Sequence, residues 1–373
     1  MYTPNQTKGV STINSRERFL TALNCEQPDR VPVWEMYMNG SSIVRVHGLL
    51  NPDTAAVETR QDLTGQEGED VIAMYCDIVE QLDLDGSSFG IAVGLVPGGE
   101  KTARDKFGTL HKLSDFGEPY PLEGPIRSEA DLEGFDMAAM LDEEDFAQII
   151  HIIKRLGSDR AHVVQIPDPY KISWRLRGGM EPLLMEYATS PRLVHGIKRI
   201  ATDYYLAAVD MTADLGVDVI IMPGDLAGEE TLMMSPRHYR EFIKPYQAEI
   251  VQHCHERGLK IIKHSDGNMW PILDDLIEIG FDGFHPVQPQ CMDIAEVKRH
   301  LTGKACVLGN IDCRELLVYG TEAEVETSVE ETIEVAGPGG GYIICSSNSI
   351  HPSCRPQNFI ALTRAAHRFG SYK

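Results

Sequence analysis

Seven short apolar runs in this chain each close on a small polar cluster. The sharpest, KIIKHSDGN, passes through Ile261 and Ile262 into His264, Asp266, Gly267 and Asn268. HVVQIPD ends on Asp168, VDVIIMPGD on Asp225 and CVLGNID on Asp312. FDGFHPVQ runs through His285 to Gln288, YIICSSNS reaches Asn348, and RVPVWEMYMN closes on Asn39. A run of β-formers that stops at His, Asp, Gly and Asn describes a parallel strand ending where it meets a ligand. Strands that all carry polar groups at their carboxyl ends are what an α/β barrel with its active site on that face requires.

Between these runs lie segments of helical period, among them SPRLVHGIKRIATDYYLAAVDMTADLG, SPRHYREFIKPYQAEIVQHCHERG and TEAEVETSVEETIEVAG. Most begin with a Ser-Pro, Asn or Thr start signal and several close on Gly. Strand then helix, repeated through short connections, implies right-handed βαβ units and a parallel sheet. Strands are expected near 31–37, 84–91, 162–168, 217–225, 260–264, 281–287, 306–311 and 342–347. Eight staves close a (β/α)8 barrel, expected as a single domain over 1–373. Residues 95–135 are rich in Gly, Pro and charge and read as a hairpin or lid beside the barrel mouth.

The formal charge is −22, from 34 Lys and Arg against 56 Asp and Glu. That balance argues against a nucleic-acid partner, which would need clustered cations. No apolar stretch reaches the ~18 residues of a membrane span. The amino terminus lacks the basic start and apolar core of a signal peptide. Eight cysteines without a CxxC pair suit reduced thiols. A cytoplasmic enzyme acting on a small molecule is the expectation.

His264 and Asp266 stand two apart at a strand end. In an extended segment they face the same way, so an imidazole and a carboxylate can converge on one ligand or metal. Asp225 follows a buried strand and opens a Gly-bearing loop, where it binds substrate, orients a histidine or caps a helix. Asp168 carries the same alternatives. His285 and Gln288 end another stave. Asn310 and Asp312 share a face, and Asn348 and His351 add an amide and an imidazole that suit a polar ligand. A second candidate metal set is Glu315, Glu330 and His351, with fourteen and twenty residues between successive members. Glu330 lies deep in a helical segment, which argues against that set. No GxGxxG after the first strand, GxxxxGK[ST], GxSxG or HExxH is present.

RERFLTALNCEQPDRVPVWEM, MSPRHYREFIKPYQAEIV, KIIKHSDGN, GNID and the closing PxxN helix occur in an order that resembles the uroporphyrinogen decarboxylase superfamily over essentially the whole chain. The resemblance implies a (β/α)8 barrel, a homodimer, and one of two activities. True uroporphyrinogen decarboxylases are cofactor-free; cobamide-dependent methyltransferases of the superfamily typically use zinc. The decarboxylases carry paired arginines in RQAGR after the first strand, where this chain has Tyr37-Met38-Asn39-Gly40-Ser41. Eight substrate carboxylates need cationic partners, so the loss of both arginines argues strongly against that substrate. The resemblance sets Trp174 at the family's tyrosine, Asn348 at its late histidine and, loosely, Asp77 at its aspartate.

The methyltransferase branch resembles this chain at His264, but Asp266 replaces a cysteine and Asn348 the late cysteine. The Glu315, Glu330, His351 spacing resembles a zinc pattern of corrinoid-linked ether demethylases. The expectation is therefore a methyl transfer between a small methylated substrate and a corrinoid protein. His264, Asp266 and Asp225 would be catalytic, the first two also holding zinc. Tyr37, Asn39, Asp168, Trp174, His285, Gln288, Asn310, Asp312 and Asn348 would contact substrate. The alternatives are a decarboxylase acting on a smaller acid and a non-catalytic ligand-binding barrel.

Overall fold

Period-two alternation in the apolar runs builds the centre of the molecule. The structure, a computed structural model, describes residues 13–53, 66–114 and 119–372. The first twelve residues of the amino terminus read above, and residues 115–118 of the excursion, lie outside the described residues. The strands are β1 (Gly86–Gly90), β2 (Leu95–Gly99), β3 (Thr102–Asp105), β4 (Leu110–Leu113), β5 (Pro119–Glu123), β6 (Ala161–Gln165), β7 (Val219–Pro223), β8 (Lys260–His264), β9 (Gly283–His285), β10 (Cys306–Leu308) and β11 (Tyr342–Ile343).

Seven of them form one parallel sheet in the order β1-β6-β7-β8-β9-β10-β11. Inward residues Val163, Ile221, Ile262, Leu308 and Ile343 pack with Trp34 into an inner core. Their neighbours Val164, Ile220, Ile261, Val307 and Ile344 pack outward under the helices. Each such buried side chain contributes about 1.5–3 kcal/mol relative to exposure. The helix Ser15–Leu23 plugs the amino-terminal end of the cylinder with Phe19 and Leu23.

The expected first stave is not a full strand. Residues 32–34 join the sheet through a single parallel bridge, Val33 to Ile344. Trp34 N–H donates to Ile344 O (3.1 Å), Ile344 N–H donates to Pro32 O (3.0 Å), and Asp85 N–H donates to Val33 O (2.8 Å). Pro32 has no N–H to offer. The Val33 N–H turns instead to the Asp85 carboxylate at 2.8 Å. That carboxylate is fully buried and paired with Arg18 (2.6 Å) and Arg30 (2.8 Å). The cylinder therefore closes as a TIM-barrel-like fold, with an ion-pair cluster where a ladder was expected.

The 95–135 excursion is more than one hairpin. It contains a four-stranded antiparallel meander, β2-β3-β4-β5, inserted after the carboxyl end of β1. Phe107 and Ile126 anchor it on Leu176 and Tyr204 of the helices Pro169–Arg177 and Pro191–Asp214. Among the described residues no helix is long and apolar enough to cross a membrane.

Candidate active site

β8 and β9 run side by side in parallel register, with His264 opposite His285. Both lie on the inward parity, at the carboxyl end of the barrel, and both are buried. Their Nδ1 atoms are 2.7 Å apart, so one imidazole donates to the other. Burial, then Lys263 and Lys171, pushes the His264 imidazole well below its usual pKa; burial and His264 do the same to His285. Both rings are neutral near pH 7, as metal ligation requires.

Asp225 and Asp266 follow on the same inward parity from β7 and β8. His264 Nε2 lies 3.6 Å from Asp225 Oδ1 and 4.0 Å from Asp266 Oδ1. Ligand atoms of these three residues all lie within 4.8 Å of one another, the one such cluster with metal-binding spacing among the described residues. Two carboxylates this close repel, so something must hold them. Leu226 N–H donates to Ser265 Oγ (2.9 Å), Asp266 N–H to Asp225 Oδ1 (3.2 Å) and Asn268 N–H to Gly228 O (2.9 Å). The two loops are laced so closely that a Cβ on Gly267 would lie 2.4 Å from Gly228 O, and Gly267 has φ of +87°.

Asn348 Nδ2 donates to Asp266 Oδ2 at 2.6 Å, while Asp266 Oδ1 is buried without a hydrogen-bond partner among the described residues. Burial and the neighbouring Asp225 push the Asp266 carboxyl up to about 7. A carboxylate oxygen buried without a donor is costly, and a cation beside it removes that cost. One imidazole and two carboxylates fit a borderline or hard divalent ion such as zinc.

The remaining sequence candidates divide. Gln288 stands at the cluster's edge, its Oε1 accepting from Gly267 N–H at 2.8 Å. Asn310 Nδ2 donates to Val287 O at 2.8 Å and braces the loop after β9. Asp168 is corrected to a structural role: its outward parity buries it beneath the helices. There it accepts from Tyr170 N–H (2.7 Å), Gln247 Nε2 (2.6 Å) and Lys263 Nζ (2.8 Å). Asn39 caps the helix Gly40–Leu50 and Asp312 accepts from Arg314 N–H (2.8 Å), so local turns occupy both. Trp174 packs against the outer core, and Tyr37 is 41% exposed.

Glu315, Glu330 and His351 do not converge. Glu315 and Glu330 are exposed, Glu330 on the helix Glu322–Ala336, and His351 Nε2 contacts Cys313 O at 2.9 Å. Helical projection carries Glu330 away from the strand ends. Asp77 is a surface helix residue paired with His47 (3.2 Å) and Arg155 (3.2 Å).

Several buried ionisable groups escaped the sequence reading, Lys263 and Glu35 among them. Lys263 is fully buried against Asp168, and its signal was a lysine on the outward parity of an apolar strand. Glu35 is buried in RVPVWEM and accepts from Ser346 N–H (3.2 Å), Ser346 Oγ (2.9 Å) and Met36 N–H (3.1 Å).

The sequence profile of the family described as uroporphyrinogen decarboxylase (URO-D) matches residues 102–369, well over half of the chain. The chain belongs to the uroporphyrinogen decarboxylase family. Uroporphyrinogen decarboxylase of Nitrosococcus oceani is 21% identical over 94% of this chain and 95% of that protein. The Tolumonas auensis uroporphyrinogen decarboxylase is 24% identical over 95% of this chain and 97% of its own length. A solved methyltransferase from Methanosarcina mazei superposes with a TM-score of 0.73 at 19% identity, covering 96% of this chain and 99% of that one. These likenesses place the chain in a family of enzymes and agree on the fold. After the first stave, Tyr37–Ser41 of this chain carries no arginine.

Proposed function

We propose that this chain transfers a methyl group between a small methylated, oxygen-bearing substrate and a corrinoid carried by a partner protein. The observation that carries the reading is the Asp225–His264–Asp266 cluster, with Asp266 Oδ1 buried and lacking a hydrogen-bond partner among the described residues. Its residues would hold a zinc ion through His264 Nε2 and the two carboxylates. Such an ion supplies Lewis acidity at a substrate oxygen, which makes a methyl group on that oxygen a better electrophile. No thiolate is in the cluster, so an ether or alcohol oxygen suits it better than a thiol.

His285 would fix the His264 tautomer, Asn348 the Asp266 rotamer, and Gln288 the Gly267 loop. The methyltransferase name of the Methanosarcina mazei neighbour and the missing arginines both support this reading over porphyrinogen decarboxylation. In the same proposal the chain works in the cytoplasm as a homodimer. A second reading, decarboxylation of a smaller acid, is favoured by the name of the Nitrosococcus oceani and Tolumonas auensis relatives.

The test is to incubate zinc-loaded protein with cob(I)alamin and a panel of methoxylated and methylated compounds, following methylcobalamin absorbance and carbon dioxide release. Methylcobalamin that disappears on chelation and in His264→Ala is the expected result. Carbon dioxide without methylcobalamin would replace this reading with the second one. Neither product from any compound would leave a ligand-binding barrel.

A further inference from the structure

A second polar centre lies away from the His264 cluster, between the meander and the helix Pro169–Arg177. A cavity of about 190 Å³ is walled there by Ile91, Phe107, Ile172 and Leu176, and Arg175 and His111 reach it. Arg175 Nε is buried and has no acceptor among the described residues. The carboxylate nearest in charge, Asp105, is already engaged. Its Oδ1 accepts from Phe107 N–H (3.0 Å) and Thr109 N–H (2.9 Å), and its Oδ2 meets His111 Nε2 (2.8 Å). His111 Nδ1 is likewise buried without a partner.

Arg175 is half-buried, but its Nε is removed from water without an acceptor among the described residues; that is unfavourable, and an incoming anion corrects it. With Nε2–H donated to Asp105, the His111 Nδ1 is a lone pair that takes a hydroxyl hydrogen. A dry cavity of ~150 Å³ takes a benzene ring, so this one has room for a ring and a carboxylate.

We propose that this cavity binds a small monocarboxylate with an apolar body, its carboxylate on Arg175 and a ligand hydroxyl, where present, on His111. None of the lining residues belongs to Asp225, His264, Asp266 or Asn348, so the site is independent of the metal cluster. It opens beside Ile91 and Pro167, which follow β1 and β6, on the same face of the barrel.

The test is calorimetry on the full chain in the presence of a chelator, with benzoate, 4-hydroxybenzoate and the neutral benzamide as probes. Benzoate is expected to bind with Kd below about 1 mM, 4-hydroxybenzoate more tightly, and benzamide at least tenfold more weakly. Arg175→Gln should lower benzoate affinity at least tenfold, its melting curve confirming a folded protein. Asp266→Asn should leave benzoate affinity within twofold. The proposal is overturned if neither acid binds wild type at about 10 mM. Equal binding by Arg175→Gln, or loss of binding in Asp266→Asn, overturns it as well.

Discussion

His264 and His285 meet Nδ1 to Nδ1 at 2.7 Å, which leaves His264 Nε2 as the ring atom turned toward Asp225 and Asp266. His285 stacks edge-on to Trp34 at 5.8 Å between ring centroids, so its own orientation is set by the barrel interior. Replacing it by Phe keeps the packing and removes the hydrogen bond. His285→Phe should weaken zinc binding by about 10–100-fold. Titration calorimetry with zinc checks this; an unchanged dissociation constant would show that His285 plays no orienting part.

Asp225 and Asp266 are held together by loop lacing against their own repulsion. Asp266→Asn relieves that repulsion and still accepts from Asn348. Thermal denaturation in chelator should show the variant more stable by about 0.5–2 kcal/mol, the trade-off expected where an active site stores strain. The same variant should lose zinc binding. A variant that melts lower than wild type would show that the carboxylate pair carries no strain.

Burial holds the Glu35 carboxyl at about 8, against 4.5 in the unfolded chain. Below pH 4.5 both states are protonated and its contribution is complete. As pH rises toward 8 the unfolded chain ionises first, so stability drains away through that window. Glu35→Gln should abolish the slope and be more stable at pH 8 by about 1–4 kcal/mol. Urea melts at pH 5 and pH 8 decide it; parallel losses in wild type and variant would refute the assignment.

Lys198 lies fully buried, its Nζ without a hydrogen-bond partner among the described residues and 4.8 Å from the centre of the Tyr170 ring. Burial pushes the amine down to about 7, with Asp168 opposing. Between pH 7 and 10.5 the unfolded chain binds the extra proton, so stability rises with pH. Lys198→Met should raise stability at pH 7 by about 1–3 kcal/mol, an advantage that shrinks toward pH 10. Equal benefit at both pH values would mean the gain is packing alone.

The Asp168–Lys263 pair offers a double-mutant cycle. Lys263→Met alone strands a buried carboxylate and should cost about 3–5 kcal/mol. Adding Asp168→Leu should recover most of that loss. Additive losses in chemical denaturation would show the two side chains to be independent.

The sequence made the barrel and the cluster legible wherever strict alternation met a polar terminus. Counting in twos from Ile221 and Ile262 reaches Asp225, His264 and Asp266, all on the inner face. The same count from Val164 puts Asp168 outside, a parity that its Pro-flanked turn disguised. Glu35 and Lys263 were passed over because a charged residue in an apolar run reads as solvent-facing until its partner is known. The meander's short strands carry Gly, Pro and charge in place of alternating apolar residues, so pairing decides them and composition does not. His111 and Arg175 are 64 positions apart and line one cavity, the first from the meander and the second from the helix Pro169–Arg177.

The seam between β1 and the carboxyl-terminal stave has a mechanical meaning. β7, β8 and β9 stand in the middle of the strand order, diametrically opposite the joint that Asp85 pins with two guanidinium groups. Asp225, His264 and His285 therefore sit on the arc where every stave is paired on both sides, and only Asn348 reaches the cluster from the stave beside the joint.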